Sequence, residues 1–165
     1  MVTPPPGDTA NLPFVFDDGG RAEAGFRGEA DDCVARAVAI ASGLPYSEVY
    51  QAIAKGVGAE RGSKGATARQ GVHTNRKWFR EYMQALGFVW VPTMQVGQGC
   101  TIHLAQGELP MGRLVVRVSK HVAAVIDGVI RDTHDPSRAN EITDAGGLVR
   151  LAHRCVYGYW IWTAA

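Results

Sequence analysis

A cysteine in the first turn of a helix can serve as a nucleophile, and one stretch of this chain offers that arrangement. In DDCVARAVAIAS, Cys33 stands where two acids end and an amphipathic pattern begins. Val34, Ala37, Val38 and Ala41 recur at i, i+3, i+4 and i+7, one apolar face of a helix. Ser42-Gly43 closes the pattern with a C-cap signal. Amides without acceptors and the positive dipole end in the first turn favour a thiolate. Asp31 and Asp32 oppose it, because neighbouring anions disfavour a second negative charge. A structural cysteine suits the same position, so the helix alone does not decide the role of Cys33.

A thiol nucleophile needs a base, and the base needs an orienting group. Two β-rich runs, His121 to Ile126 and Val129 to Thr133, flank Asp127-Gly128, and Asp-Gly is a strong hairpin signal. With Asp127 and Gly128 as the loop, Ile126 faces Val129, Ala123 faces Asp132 and His121 faces His134. Opposed residues share a face, as do residues two apart on a strand. His121, Asp132 and His134 therefore belong together. Asp132 is a diagonal neighbour of His121, about 7–8 Å away between backbones and within side-chain reach. The predicted triad is Cys33 as nucleophile, His121 as base and then acid, and Asp132 as the residue that fixes the imidazole. His134 borders the site. Asp135 points to the other face unless a bulge intervenes.

The elements that must carry these residues are legible in outline. Residues 1–13 are polar and proline-rich and read as a flexible arm. Phe14-Val15-Phe16 reads as a short strand ended by a turn cluster. The Cys33 helix is followed by a second one, opened by Pro45 and ended at Lys55-Gly56. A third has Thr74 as N-cap and Gly87 as C-cap. Between the last two lies a Gly-rich segment. Lys55, Arg61, Lys64, Arg69, Arg76, Lys77 and Arg80 make the region 55–80 basic, which fits a substrate-groove loop or a nucleic-acid contact beside Trp78 and Tyr82. From Phe88 the period becomes two: Phe88 to Val91, Arg113 to Ser119, the hairpin, and Cys155 to Trp162. Residues 134–147 read as a polar loop. Helices first and an antiparallel meander after them give an α+β fold, as one domain over 14–165.

At this point the chain resembles the papain-like cysteine peptidase superfamily. The likeness is to its compact microbial branch, such as leader peptidases of bacteriocin exporters. DDCVARA is similar to the nucleophile motif of ovarian-tumour-type deubiquitinases. LPMGRLVV followed by His121 is similar to the strand that delivers the histidine in both groups, and DTHDP covers the third position. The whole chain resembles small proteins carried by phages and prophages. The resemblance implies a papain-like fold and a Cys-His-Asp order. It departs at Arg27, where papain-like peptidases usually have an oxyanion-hole glutamine; the oxyanion then falls to backbone amides near Cys33, or to Arg27 itself. Leader peptidases usually follow the third residue with proline, which favours Asp135-Pro136, whereas strand register favours Asp132.

Bulk numbers fit a soluble globular domain: 165 residues, 46% apolar, net charge +1. No stretch reads as a membrane span or a signal peptide. Three cysteines at wide spacing argue against a disulfide framework and fit a reducing cytoplasm, the host's if the gene is phage-borne. Cys100 and Cys155 are expected to be passive, His73 and His103 exposed, and His153 a packing residue. A metal site from Cys33, His121, Asp132 and His134 lacks CxxC or HxxxH spacing, so neither metal nor cofactor is expected. The expected function is a cysteine hydrolase acting on a peptide or isopeptide bond of a protein or peptide. The rivals are a non-catalytic phage-type binding protein that uses the basic 55–80 segment, for nucleic acid or a host protein, and a transglutaminase-like acyltransferase.

Overall fold

Residues 10–28, 32–59, 68, 72–137, 140–143, 145–147 and 149–163 are described by a computed structural model of the chain. α1 (Cys33–Ser42) is its central helix. It is buried almost all round, with Val34 to Ala39 and Ala41 inside, rather than along the single expected face. The reason is its place: the sheet lies on one side and α2 (Tyr46–Gly58) on another. A helix that is apolar around most of its circumference belongs inside. Gly43 ends it in the left-handed region at φ 76°, where its N–H returns 2.9 Å to the Ala39 carbonyl.

Pro45 precedes α2 as expected, but the helix runs through Gly56 to Gly58. Gly56 sits under Trp78, and a Cβ there would come within 2.2 Å of the indole. Close packing of α3 (Lys77–Leu86) therefore requires glycine at that point. α3 starts three residues after Thr74, which is itself buried; Gly87 caps the other end at φ 99°. Phe79 and Met83 are its buried anchors.

The principal sheet joins β1 (Phe14–Phe16), β7 (Val129–Asp132), β6 (His121–Ile126), β5 (Arg113–Val118), β10 (Gly158–Trp162) and β2 (Phe88–Pro92), in that spatial order. Five of these form the expected antiparallel array. β1 is the exception: it returns parallel to β7, with Phe16 opposite Asp132. The chain is thus α+β with a mostly antiparallel six-stranded sheet and, among the described residues, three helices. One face packs on the helices through Val115, Val122, Ala124 and Trp160. The other is covered by Leu12, Leu104 and Val156, which pack on Leu114, Val116, Val125 and Ile130. Burial on both faces explains why β5 and β6 read as nearly continuous apolar runs.

Some expectations are corrected outside the central sheet. A hairpin of β8 (Asn140–Thr143) and β9 (Val149–Ala152) begins within the expected polar loop. β3 (Met94–Gln95) and β4 (Gly99–Cys100) form a second small ribbon. β10 begins at Gly158; Cys155 lies before it in a bridge to His103. Cys100 and Cys155 are joined in a disulfide with Cα atoms 5.9 Å apart, contrary to the reading of both as passive thiols. They are 55 positions apart, so only the fold brings them together. Of the N-terminal arm, residues 1–9 lie outside the described residues. Leu12 is buried, and the carbonyls of Ala10, Asn11 and Pro13 accept hydrogen bonds from Gln106 and Ile130. Among the described residues no helix is long and apolar enough to cross a membrane.

Candidate active site

Local turn chemistry puts the histidine and the carboxylate together. The β6–β7 turn has positive φ at both central residues, 47° at Asp127 and 78° at Gly128, the type I′ pattern that suits a two-residue hairpin. Ile126 faces Val129 and Ala124 faces Arg131, the register read from the Asp-Gly pair. At the far end of this hairpin His121 opens β6 and Asp132 closes β7. The His121 Nε2 lies 2.6 Å from Asp132 Oδ2. The ring of His134 is 5.1 Å from that of His121, so all three residues that the register grouped do meet. Asp135 is exposed and its carboxylate accepts the Ser137 amide at 2.9 Å. Of the two acids proposed for the third position, Asp132 is the partner of His121.

α1 supplies the sulfur. Cys33 is half-buried at its first position, and its side chain is near enough to act on the charge of the His121 ring. With Nε2 engaged by Asp132, the ring nitrogen left for the thiol is Nδ1. Burial pulls the His121 ring towards its neutral form. The Asp132 hydrogen bond and the Cys33 interaction outweigh burial, and the ring is pushed up to about 9 from 6.5. Burial likewise raises the Asp132 carboxyl, but the His121 hydrogen bond and charge, the Thr133 amide and Arg36 together hold it below its ordinary value. The pair is therefore imidazolium and carboxylate near neutral pH.

The acids before Cys33 behave differently from a bare anionic cluster. Asp31 lies outside the described residues. Asp32 is buried, and its carboxylate is held by the Arg21 Nε at 3.0 Å, by Arg36 and by the Tyr46 hydroxyl. Two guanidinium groups face it, so it is not the bare anion that the sequence suggested. Desolvation and the bond to Asp32 raise the Tyr46 hydroxyl above its usual range, which keeps it a neutral donor. Because Asp32 turns inward, it makes no cap bond to the amides of α1. The first rung of the helix is Arg36 N–H to the Asp32 carbonyl at 3.0 Å. The amides of Cys33, Val34 and Ala35 precede it and have no acceptor within the helix. Arg27 is exposed at the surface, and its carbonyl accepts from Arg21.

Arg36 is the site residue that sequence reasoning missed. Its side chain is 7% exposed and joins Asp32 to Asp132, with Nη2 3.5 Å from Asp132 Oδ1. The i, i+4 spacing of Asp32 and Arg36 is the signal that could have found the first half of this bridge. Among the other candidates, His103 is half-buried and pairs with Glu108 at 3.1 Å, and His73 is exposed. His153 is partly buried just after β9. Of the basic segment, Arg61, Lys64 and Arg69 lie outside the described residues, and Arg76, Lys77 and Arg80 are exposed around the start of α3. Compared with family models, curated proteins and solved structures, the chain matches none.

Proposed function

We propose that this chain is a papain-like cysteine hydrolase that cleaves a peptide or isopeptide bond of a protein or peptide. The observation that carries the reading is the His121–Asp132 pair, 2.6 Å apart and near Cys33, with the ring pushed up to about 9. An imidazolium at neutral pH is the natural partner of a thiolate. In the first half-reaction the sulfur attacks the carbonyl carbon and the C–S bond forms. The oxyanion is received by the amides of the first turn of α1, which have no acceptor within the helix. The His121 imidazolium then gives its proton to the leaving nitrogen as the C–N bond breaks, which leaves a thioester on Cys33. In the second half-reaction neutral His121 takes a proton from water, and the hydroxide attacks the thioester. The acid departs, and thiolate and imidazolium are restored. Asp132 keeps its proton balance throughout and holds the ring in one tautomer.

The test exploits the disulfide: Cys33 is the free cysteine of the oxidised protein, so iodoacetamide reads this position directly. Labelling followed by mass spectrometry at neutral pH should be about tenfold slower, or more, in His121→Ala, since each unit of lost pairing is a factor of ten. Equal rates in the two proteins would remove the working pair and with it the proposal.

A further inference from the structure

His134 is not used by the mechanism, yet it lies against the pair that is. One ligand atom each from His121, Asp132 and His134 falls within 4.8 Å of the other two. We propose that these three residues form a binding site for one zinc-class divalent metal ion, and that a filled site removes His121 and Asp132 from the service of Cys33.

Donor chemistry selects the class of ion. Two imidazole nitrogens and one carboxylate oxygen suit zinc and its neighbours, whereas magnesium and calcium prefer shells of oxygen. Zinc bonds of about 2.0–2.1 Å set tetrahedral ligand atoms about 3.3–3.5 Å apart. From a spacing of at most 4.8 Å the closure needed at His134 is at most about 1.5 Å, while His121 Nε2 and Asp132 Oδ2, 2.6 Å apart, open by about 0.8 Å to admit the ion. His134 can make it by side-chain rotation, since it is exposed, and this also gives an ion a path from solvent. Three protein ligands leave the fourth position to water.

The surroundings hold two of the ligands in place. Asp132 divides its oxygens. Oδ1 takes the Thr133 amide at 2.7 Å and faces Arg36 at 3.5 Å; Oδ2 alone points at His121. Arg36 faces the other oxygen, Oδ1, and shares Asp32 with Arg21, so its charge is offset there only in part. The segment that carries His134 is anchored just beyond it: Pro136 is buried and its carbonyl accepts from Arg154 Nη1 at 3.2 Å. A cation held by Oδ2 and Nε2 displaces the Nε2 proton to solvent and replaces the hydrogen bond that His121 makes there, so metal binding and the His121–Asp132 bond exclude each other.

Binding itself does not rest on the hydrolase reading; only its consequence at Cys33 does. The experiment titrates the oxidised full-length chain with Zn²⁺ against a chromophoric chelator and with Co²⁺ by visible absorption. Wild type should bind one equivalent. His134→Ala, a change at an exposed side chain, should weaken Zn²⁺ binding by about tenfold or more, the scale of losses at metal sites. Cys33→Ala should bind as wild type does, and the Co²⁺ spectrum should lack a thiolate charge-transfer band. Unchanged affinity in His134→Ala, loss of binding in Cys33→Ala, or no binding by wild type below millimolar Zn²⁺ would each overturn the site. In wild type, Zn²⁺ should also slow iodoacetamide labelling of Cys33. If the Cys33–His121 pair does not operate, that slowing fails while Co²⁺ binding persists, so the two failures can be told apart.

Discussion

The Arg36 guanidinium lies 3.5 Å from Asp132 Oδ1 and also grips Asp32, so the helix that carries Cys33 and the strand that closes on Asp132 share one buried cation. Removing one member of a buried ionic group leaves the others uncompensated, at a cost of about 3–5 kcal/mol. Arg36→Leu should therefore lower the unfolding free energy by about 3 kcal/mol or more, read by urea denaturation. Arg36→Lys should lose less, yet still more than a surface substitution, because an ammonium cannot fork between two carboxylates. A urea midpoint unmoved in Arg36→Leu would mean that the bridge does not hold helix and strand together.

The His121–Asp132 pair also sets a pH window for stability. His121 is raised from 6.5 to about 9 on folding, so its contribution is complete below about pH 6.5 and is lost as pH rises through 9. Asp132 is lowered from 3.8, so its contribution is present above that value and is lost as pH falls through the folded one. The pair should therefore stabilise most between about pH 4 and 6.5. At 1.36 kcal/mol per unit, the His121 contribution is at most about 3 kcal/mol. Unfolding at pH 6 and pH 10 should show wild type losing more stability than His121→Gln over this interval. Parallel losses in the two proteins would rule out a raised His121.

The parts of this site that sequence could reveal are those fixed by local chemistry. Asp127-Gly128 dictates its own turn, the turn dictates register, and register brings Asp132 and His134 to His121. The parts it could not reveal depend on residues distant along the chain. Helical periodicity gives Arg36 to solvent; it is buried because Asp132, nearly a hundred positions later, folds over it. Phe14–Phe16 reads as a strand, but its parallel pairing with β7 is decided by an edge that only the finished sheet exposes. Wide cysteine spacing argues for free thiols, yet the ribbon carrying Cys100 and the His103 bridge bring Cys155 alongside. The Asp32 side chain looks like a cap or a repulsive charge until Arg21 and Tyr46 are in position around it.

Asp132 and Asp135 make opposite predictions. Asp132→Asn removes the charge at His121 Nε2, so the ring should fall back towards 6.5 in an NMR titration. Iodoacetamide labelling of Cys33 should slow about tenfold for each unit lost. Asp135→Asn should leave both within about twofold, a difference of less than one kcal/mol, because that carboxylate is exposed and serves the Ser137 amide. The reverse pattern would transfer the orienting role to Asp135.

The last prediction concerns the bond that the cysteine spacing concealed. Cys100 and Cys155 close a loop of 55 positions, for which chain entropy predicts about 4 kcal/mol of stabilisation. Cys100→Ser/Cys155→Ser should lower the unfolding free energy by about 2–4 kcal/mol. The bond also changes what a thiol reagent counts. The chain has 3 cysteines, of which Cys33 is free, so denatured protein should titrate one thiol before reduction and all three after it. Three thiols in protein purified under oxidising conditions would exclude the bridge. They would also mean that alkylation of Cys33 has to be read peptide by peptide.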